Sequence, residues 1–186
     1  MEYMFDTVNI EDIRHYSEFF KITGITSNPS IIKLEGKINF FKHFKKIRKI
    51  IGNDKSLHIQ VIAEDYEGIM AEADAIIKNV DDKVFIKVPV TQQGLKAIRA
   101  LKAKGIGVTA TAIYTKVQGL LAMEAGADFI APYYNRMENM DIDPKEVITT
   151  FAGMIKEYHY STIILAEDFA EDWETIFGKG VSIVDL

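Results

Sequence analysis

The chain has 186 residues, 48% of them hydrophobic, and a formal net charge of −5 at pH 7; it is long enough for one domain with a substantial core, and its acidic balance argues against a nucleic-acid or membrane partner. It contains no cysteine, which excludes disulfides and thiolate metal sites and fits a reducing compartment. The amino terminus lacks the basic and apolar segments of a signal peptide, and no apolar stretch approaches the ~20 residues that span a bilayer, so we expect a cytoplasmic protein.

Seven short segments rich in β-forming residues alternate along the chain with longer amphipathic segments. Most of the short segments are apolar nearly throughout, which is typical of parallel strands buried on both faces. They predict strands at residues 3–7, 24–27, 57–63, 83–90, 107–113, 128–132 and 162–166.

The longer segments carry apolar residues at spacings of three or four, as on the buried face of a helix. Gly105 and Gly126 follow two of these stripes and suit helix C-caps. Basic residues around the first stripe could bind an anion, but a solvated helix face is the favoured explanation. The stripes are Phe40, Phe44, Ile47 and Ile51; Ile69, Ala73, Ile76 and Ile77; Leu95, Ile98 and Leu101; Val117, Leu120, Leu121 and Ala125; and Val147, Phe151, Met154 and Ile155.

This regular alternation of strands and helices predicts a parallel sheet, either doubly wound or closed as a barrel. Neither GxGxxG nor GxxxxGK[ST] follows a predicted strand, so the usual nucleotide-binding folds lose their main support. No linker or low-complexity tract interrupts the pattern. We therefore predict an α/β protein with a single domain over residues 1–186, built as a TIM (β/α)8-type barrel.

Polar residues stand at or near the carboxyl ends of successive predicted strands, where barrel enzymes carry their chemistry. Each alone has a structural explanation: Asp6 could cap the first helix, Asn28 could start the second, and Tyr133 could be a core aromatic with a solvated hydroxyl. Their joint placement favours a functional site. The set includes Asp6, Thr7, Thr26, Ser27, Asn28, Ser30, Gln60, Lys87, Thr109, Thr111, Tyr133, Tyr134, Asn135 and Arg136.

Lys87 interrupts the apolar segment KVFIKVPVT at residues 83–91. With a period of two it shares a face with Phe85 and Pro89, opposite the valines of the same strand. Inside a barrel, burial would penalise the ammonium form, lower the pKa of the lysine and leave an amine that attacks carbonyls. The alternative is a structural ion pair with Asp6, and the pattern alone leaves the two equal.

Metal chemistry has little support in the sequence. The histidines show neither i,i+4 pairing nor convergent spacing, and three of them fall on predicted helices or just beyond one. We therefore expect no metal site. The four histidines are His15, His43, His58 and His159.

Taken together, the residues at the strand ends resemble the transaldolase family, and most closely its small, fructose-6-phosphate aldolase-like branch. The resemblance covers residues 1 to about 166 and is specific as a combination, although each motif alone is weak. It rests on Asp6 and on the motifs GITSNPS (24–30), QV (60–61), KVPVT (87–91), TAIY (111–114) and APYYNR (131–136).

The resemblance implies a role for each matching residue. Lys87 corresponds to the lysine that forms a Schiff base, so no metal and no cofactor are expected. Asp6 and Asn28 correspond to the residues that hold the substrate hydroxyls, with Thr26 nearby. The implied partner is a small-molecule sugar phosphate.

Four further matches imply the rest of the site. Gln60, Thr111 and Tyr133 resemble the cluster that orders a catalytic water and moves protons, and Arg136 resembles the arginine that binds the substrate phosphate. Gln60 and Tyr133 are typical of the aldolase branch, whereas transaldolases typically carry Glu and Phe there. The resemblance thus favours cleavage of fructose 6-phosphate over transfer of a dihydroxyacetone unit between sugars. A noncatalytic or degenerate phosphosugar-binding barrel is the third possibility.

The resemblance breaks after Ala166. Members of the family continue into a phosphate-binding segment, a helix, an eighth strand and another helix, whereas here the chain leads directly to Phe169 and Trp173, which resemble the family's last helix. The region of strand 8, ~30–40 residues in a typical unit, is therefore missing, and unpaired edges are expected at the first and seventh strands. A segment absent from this sequence, a natural deletion completed by a neighbouring subunit and a degenerate copy all stay open.

The tail predicts association between subunits. Its helix, expected at residues 169–178, carries Phe169, Trp173, Ile176 and Phe177, and a short helix this apolar needs a covering surface. In the family this helix packs on a neighbouring subunit. The resemblance therefore implies a homo-oligomer, either a pentamer or a decamer.

Overall fold

The computed structural model describes residues 3–166 and 182–185, and these residues form an eight-stranded sheet flanked by helices. All seven strands predicted from the sequence are present within a few residues of the expected bounds. The strands are β1 (Tyr3–Asp6), β2 (Gly24–Thr26), β3 (Ser56–Gln60), β4 (Phe85–Pro89), β5 (Val108–Ile113), β6 (Phe129–Pro132), β7 (Ile163–Ile164) and β8 (Ser182–Asp185). The helices are α1 (Ile10–Ser17), α2 (Pro29–Leu34), α3 (Phe40–Ile51), α4 (Tyr66–Asn79), α5 (Gln92–Ala103), α6 (Lys116–Glu124), α7 (Tyr134–Glu138) and α8 (Pro144–Tyr158).

Strands β1 to β7 are parallel and follow one another in chain order across the sheet, with one or two helices between successive strands. The sheet is curled, because Met4 in β1 packs with Ala131 in β6 and Leu165 just after β7, although four strands separate β1 from β6 in the sheet. This is the arrangement of a (β/α)8 barrel through its seventh strand. The predicted fold class is therefore confirmed.

The tail fills the edge of β1 in a way that was not predicted. Strand β8 runs antiparallel to β1, with Tyr3 opposite Asp185 and Asp6 opposite Ser182. The prediction of an unpaired edge at β1 is wrong because the segment SIVD, with its β-branched residues, supplies the missing backbone partners. Strands β7 and β8 lie at the two ends of the row, so the final parallel strand of a complete barrel is lacking from the described residues.

Two further predictions concern the helix in the tail and the location of the protein. The helix predicted at residues 169–178 lies outside the described residues, so the pentamer or decamer stays a prediction, which light scattering of the purified protein would test. None of the helices in the described part of the chain is long and apolar enough to cross a membrane.

Helix starts are encoded locally. Each described helix except α7 begins after a side chain that accepts a hydrogen bond from a backbone N–H of the first turn. Gly105 and Gly126 follow α5 and α6 as predicted, with φ of 75° and 88°, a conformation that favours glycine. The capping residues are Asn9, Asn28, Asn39, Asp65, Thr91, Thr115 and Asp143.

The buried face of α6 differs from the predicted stripe. Val117 and Leu121 are exposed, and the helix turns Gly119 and Ala122 inward. The reason is the ring of Phe151 in α8, which lies so close that a Cβ at Gly119 would come within 2.2 Å of it. Because α8 packs so closely on α6, only a residue as small as glycine fits at this position of α6.

The basic helix α3 is only in part a solvated face. Its four lysines are exposed, but Arg48 is buried. Arg48 Nε donates to Asp81 Oδ2 at 2.7 Å, and Nη1 donates to the carbonyls of Gly52 and Lys55 at 3.0 and 2.7 Å. Arg48 therefore joins α3 to the loops that enter β3 and β4, at the amino end of the sheet.

Candidate active site

Lys87, in the central strand β4, is fully buried. Its register partners are Gln60 in β3 and Thr109 in β5. Its Nζ donates to Thr26 Oγ1 in β2 at 3.2 Å. Because this contact joins side chains two strands apart, Lys87 points into the concave interior of the curled sheet.

Asp6 lies beside this contact. It is the register partner of Thr26, and both side chains are buried. The alternative role of Asp6 as a helix cap is wrong, because Asn9 caps α1 and its Oδ1 accepts from two first-turn N–H groups at 2.9 and 3.0 Å. Asp6 and Thr26 therefore belong to the same interior cluster as Lys87.

Asn28 starts α2, as its structural explanation predicts. Its Oδ1 accepts from the N–H groups of Ser30 and Ile31 at 3.0 and 3.1 Å, and Pro29 is the first helical residue. The cap uses only the amide oxygen. The donors on Nδ2 can still meet a ligand hydroxyl, so capping and substrate binding are compatible.

Gln60 ends β3 between two cavities. A cavity of about 540 Å³, lined among others by Ala63, Pro89 and Thr91, reaches it from the ends of β3 and β4. A mostly apolar cavity of about 330 Å³, bounded by Phe40 among others, also reaches it. Gln60 Oε1 is buried and accepts no hydrogen bond from any residue that the structure describes. Gln60 thus brings an amide to the place where the two cavities approach each other.

Thr111 and Tyr133 meet at the ends of β5 and β6. Thr111 Oγ1 and the Tyr133 hydroxyl lie 3.3 Å apart, and both side chains are buried. The exposed Arg136 stacks its guanidinium over the Tyr133 ring, with Cζ 4.6 Å from the centroid, and Nη1 donates to the Tyr114 hydroxyl at 3.4 Å. A positive charge thus stands at the rim above the hydroxyl pair, where it can meet an anionic group.

A bulge in β5 holds Thr111 in place. The next residue, Ala112, has φ of 56°, in the left-handed region, and the register with β6 shifts here. Gln118 of α6 braces the bulge: Nε2 donates to the carbonyls of Ala112 and Val90, each at 3.2 Å, and Oε1 accepts from the N–H of Tyr114 at 3.0 Å. Neither Ala112 nor Gln118 was predicted as part of the site.

His58 is a buried group that was also not predicted, although it lies on the sheet's interior. Its ring stacks on Phe85 and meets Phe129 edge-on, with centroids 4.9 Å apart in both cases. Its Nδ1 lies 2.7 Å from Thr109 Oγ1. Burial, the charge of Lys87 and that of Arg48 lower the pKa of His58 to about 3, so the imidazole is neutral. The spacing held the signal: His58 precedes Gln60 by two residues, and such residues share a face of a strand.

The sheet therefore gathers one amine, one carboxylate, one amide and several hydroxyls in a largely buried space, with an arginine at the rim. An amine in this setting can attack a carbonyl, and the hydroxyl and amide groups can bind a polyhydroxy ligand and move protons. Within residues 3–166 and 182–185, no three His, Asp or Glu side chains are grouped to hold a metal ion.

Comparison with known proteins agrees with this geometry. The family model described as Transaldolase/Fructose-6-phosphate aldolase matches residues 3–184. A probable fructose-6-phosphate aldolase from Streptococcus pneumoniae (strain ATCC 700669 / Spain 23F-1) is 53% identical over 169 residues, which cover 91% of this chain and 76% of that protein.

Two relatives carry the other name found in the family. A probable transaldolase from Cytophaga hutchinsonii is 38% identical over 169 residues, and one from Streptococcus equi subsp. zooepidemicus (strain MGCS10565) is 39% identical over 166. Both alignments cover 89% of this chain and 76% of the relative. The chain belongs to the transaldolase/fructose-6-phosphate aldolase family.

Proposed function

We propose that this protein is a metal-independent aldolase that forms a Schiff base with its substrate. The substrate is fructose 6-phosphate or a similar ketose phosphate, and the products are dihydroxyacetone and glyceraldehyde 3-phosphate, formed reversibly. The observation that carries the proposal is the complete burial of Lys87 among hydroxyl and amide side chains.

Burial supports a reactive amine at Lys87. Taking an ammonium group out of water costs free energy, which favours the neutral, nucleophilic form. Thr26, 3.2 Å from Nζ, offers a hydroxyl, and Asp6 in register beside it supplies negative charge for a cationic iminium. Asp6 and Asn28 hold the hydroxyls of the substrate, with Thr26 close to the reacting carbon.

The reaction begins when the neutral amine of Lys87 attacks the C2 carbonyl and the carbinolamine loses one water to become an iminium. A base removes the proton of the C4 hydroxyl, the C3–C4 bond breaks, and its electron pair moves into the iminium to give an enamine. Glyceraldehyde 3-phosphate leaves. Protonation of the enamine at C3 and addition of one water release dihydroxyacetone and restore the amine.

Tyr133 and its neighbours move the protons in this scheme. The Tyr133 hydroxyl lies 3.3 Å from Thr111 Oγ1, and the buried Oε1 of Gln60 is an acceptor for the water that works with them. Arg136, stacked on the Tyr133 ring at the exposed rim, binds the phosphate.

Two observations favour cleavage over transfer. Gln60 and Tyr133 are the residues typical of the aldolase branch, and the relative named as an aldolase is 53% identical, against 38% and 39% for those named as transaldolases. Product analysis separates the two reactions. Release of free dihydroxyacetone without an acceptor aldose supports the aldolase, and an absolute need for an acceptor supports the transaldolase.

Borohydride reduction in the presence of dihydroxyacetone or fructose 6-phosphate tests the covalent step. Reduction converts the iminium into a stable secondary amine, so we expect a mass adduct on the peptide that contains Lys87. The adduct disappears in Lys87→Met. Lys102→Met is the matched control, because Lys102 contacts Asp128 at 2.6 Å at the opposite end of the sheet, and it keeps the adduct. A folded wild-type protein without an adduct would instead be a noncatalytic phosphosugar-binding barrel.

Tyr133→Phe tests the proton-transfer assignment. Loss of the hydroxyl removes the group that meets Thr111, so we expect cleavage to fall by about a hundredfold and the ratio of transfer to cleavage to rise. The borohydride adduct on Lys87 persists, because the amine is untouched. An unchanged product ratio contradicts the assignment.

A further inference from the structure

A polar pair lies in the interior beneath Lys87. His58 Nδ1 and Thr109 Oγ1 are 2.7 Å apart, and both side chains are fully buried. His58 belongs to β3 and Thr109 to β5, so the hydrogen bond crosses β4, the strand that carries Lys87. His58 stacks on Phe85, which precedes Lys87 by two residues and shares its face.

Ring packing alone does not account for a histidine at this place. His58 is nearly parallel to Phe85, at an interplanar angle of 12°, and meets Phe129 at 82°. A phenylalanine would fill the same space without desolvating a polar ring. His58 Nε2 is buried and has no hydrogen-bond partner in the described part of the chain, a cost that phenylalanine avoids.

Counting donors and acceptors assigns the direction of the bond. The Thr109 hydroxyl has one proton, and within the described ranges its hydrogen-bond partner is His58 Nδ1 alone. If Nδ1 carried the ring proton, it would donate to Thr109 Oγ1, and both the Thr109 O–H and the Nε2 lone pair would lack a hydrogen-bond partner among the described residues. With the proton on Nε2, Thr109 donates to Nδ1, and only the Nε2–H lacks a hydrogen-bond partner among the described residues. The low pKa of His58, about 3, keeps the ring neutral at neutral pH, so one of its two nitrogens is free to accept.

We propose that His58 is a positioning residue for Lys87 and that it acts through Thr109. Thr109 is the register partner of Lys87 in β5, and Gln60, two residues after His58, is its partner in β3. The His58–Thr109 bond therefore ties together the two strands that flank Lys87. If Lys87 is the Schiff-base lysine, as the proposed function holds, this tie fixes the line along which the amine approaches C2 of the substrate.

Two substitutions of His58 separate positioning from packing. His58→Phe keeps the stacked ring and loses the acceptor, whereas His58→Asn loses the ring and keeps an acceptor one bond from Cγ, where Nδ1 stood. We expect His58→Phe to have the higher Tm of the two but to slow imine formation and kcat about tenfold, with little change in KM. His58→Asn, although less stable, recovers most of the wild-type rate per folded molecule.

Thr109 offers the matching pair. Thr109→Val keeps the shape and removes the hydroxyl, and we expect it to match His58→Phe in rate. Thr109→Ser keeps the hydroxyl and stays near the wild-type rate. The double variant His58→Phe/Thr109→Val is no slower than either single variant, since both remove the same bond.

The rates are measured by trapping the imine with borohydride at a series of times, with dihydroxyacetone as the probe, alongside kcat and KM for fructose 6-phosphate. Wild-type rates in both His58→Phe and Thr109→Val, or additive losses in the double variant, overturn the positioning role and leave the Schiff-base function intact. If the rates of the variants correlate with Tm and not with the presence of the acceptor, the pair contributes only packing, and the positioning role is overturned as well. A wild-type protein that traps no dihydroxyacetone defeats the proposed function itself.

Discussion

The two ends of the sheet surround their cationic side chains differently. At the amino end, Arg48 donates to Asp81 at 2.7 Å and Lys102 contacts Asp128 at 2.6 Å. At the carboxyl end, the fully buried Lys87 lies among hydroxyl and amide side chains, with Nζ 3.2 Å from the hydroxyl of Thr26 and with Asp6 in register beside Thr26.

This contrast separates stability from chemistry within one fold. A cation matched by a carboxylate and backbone carbonyls, as Arg48 is, gains most when it stays charged and fixed. A buried amine beside hydroxyl and amide groups, as Lys87 is, can lose its proton and form a bond, while the carboxylate of Asp6 in the same cluster supplies negative charge. The difference predicts that substitutions at the amino end lower the free energy of unfolding, whereas substitutions at the carboxyl end lower the rate.

The largest effect on stability is expected from Arg48→Met. The change keeps much of the aliphatic volume but leaves Asp81 in its largely buried place without its cation, so we expect the free energy of unfolding to fall by about 3 kcal/mol. Asp81 keeps its hydrogen bond from the Lys83 N–H, which limits the loss. Denaturant unfolding measures it. The yield of Lys87 adduct per folded molecule is the control, and a large fall in that yield at unchanged stability would break the comparison.

A smaller effect is expected from the protonation of His58 at acid pH. The pKa of His58 is about 3 in the folded protein, below its usual value of 6.5, so between these pH values the unfolded chain binds one more proton than the folded chain. Stability from this group is complete above pH 6.5 and is lost as the pH falls. At about 1.4 kcal/mol per pH unit, the loss between pH 6.5 and 5 is about 2 kcal/mol.

His58→Phe tests this acid effect, since it removes the titrating group and keeps the ring. Denaturant unfolding at pH 7 and pH 5 is expected to give a flatter dependence for the variant than for the wild type. Besides burial, the titratable groups that act on His58 are Lys87 from β4, when it is protonated, and Arg48 from α3, while Phe85 and Thr109, which contact it, are uncharged. Parallel profiles for the two proteins would show that His58 does not titrate in this range.

The smallest effect on stability is expected from Gln60→Leu, and it is a gain in stability, whereas the two preceding effects are losses. Gln60 Oε1 is buried and accepts no bond from the described residues, so an apolar side chain of similar size raises the free energy of unfolding by about 1 kcal/mol. The same change removes the acceptor for the water and is expected to slow cleavage. A variant that is less stable yet fully active would show that Gln60 has a structural role, like the ion pairs at the amino end, and no role in the reaction.

Much of this architecture could be predicted from the sequence because two simple periodicities decide it. Apolar runs alternating with helical stripes predicted β1 to β7, and the period of two put Lys87 on the face of its strand opposite the valines. The same rule reaches His58, which lies two residues before Gln60. His58 was missed because a lone histidine between apolar neighbours gives no sign of its partner, Thr109, which is distant in sequence.

Other features depend on tertiary contacts, which the periodicity of the sequence cannot predict. The burial of Arg48 depends on Asp81 and on carbonyls of the following loop, which only the packing of α3 brings together. The inward face of α6 depends on the ring of Phe151 over Gly119. Likewise, the four-residue β8 was overlooked because its partner, β1, lies at the other end of the chain.

The pairing of β8 with β1 has a consequence for the order of folding. Met4 meets Gly24 across a loop of about 20 residues, whereas Tyr3 meets Asp185 across about 180, and the longer loop costs about 2 kcal/mol more entropy to close. Neighbouring βα strands can pair early through local contacts, while the two ends of the chain must meet late. Until they do, the backbone of β1 is an open edge, so the newly made protein is most prone to pair with another chain in the interval before its tail arrives.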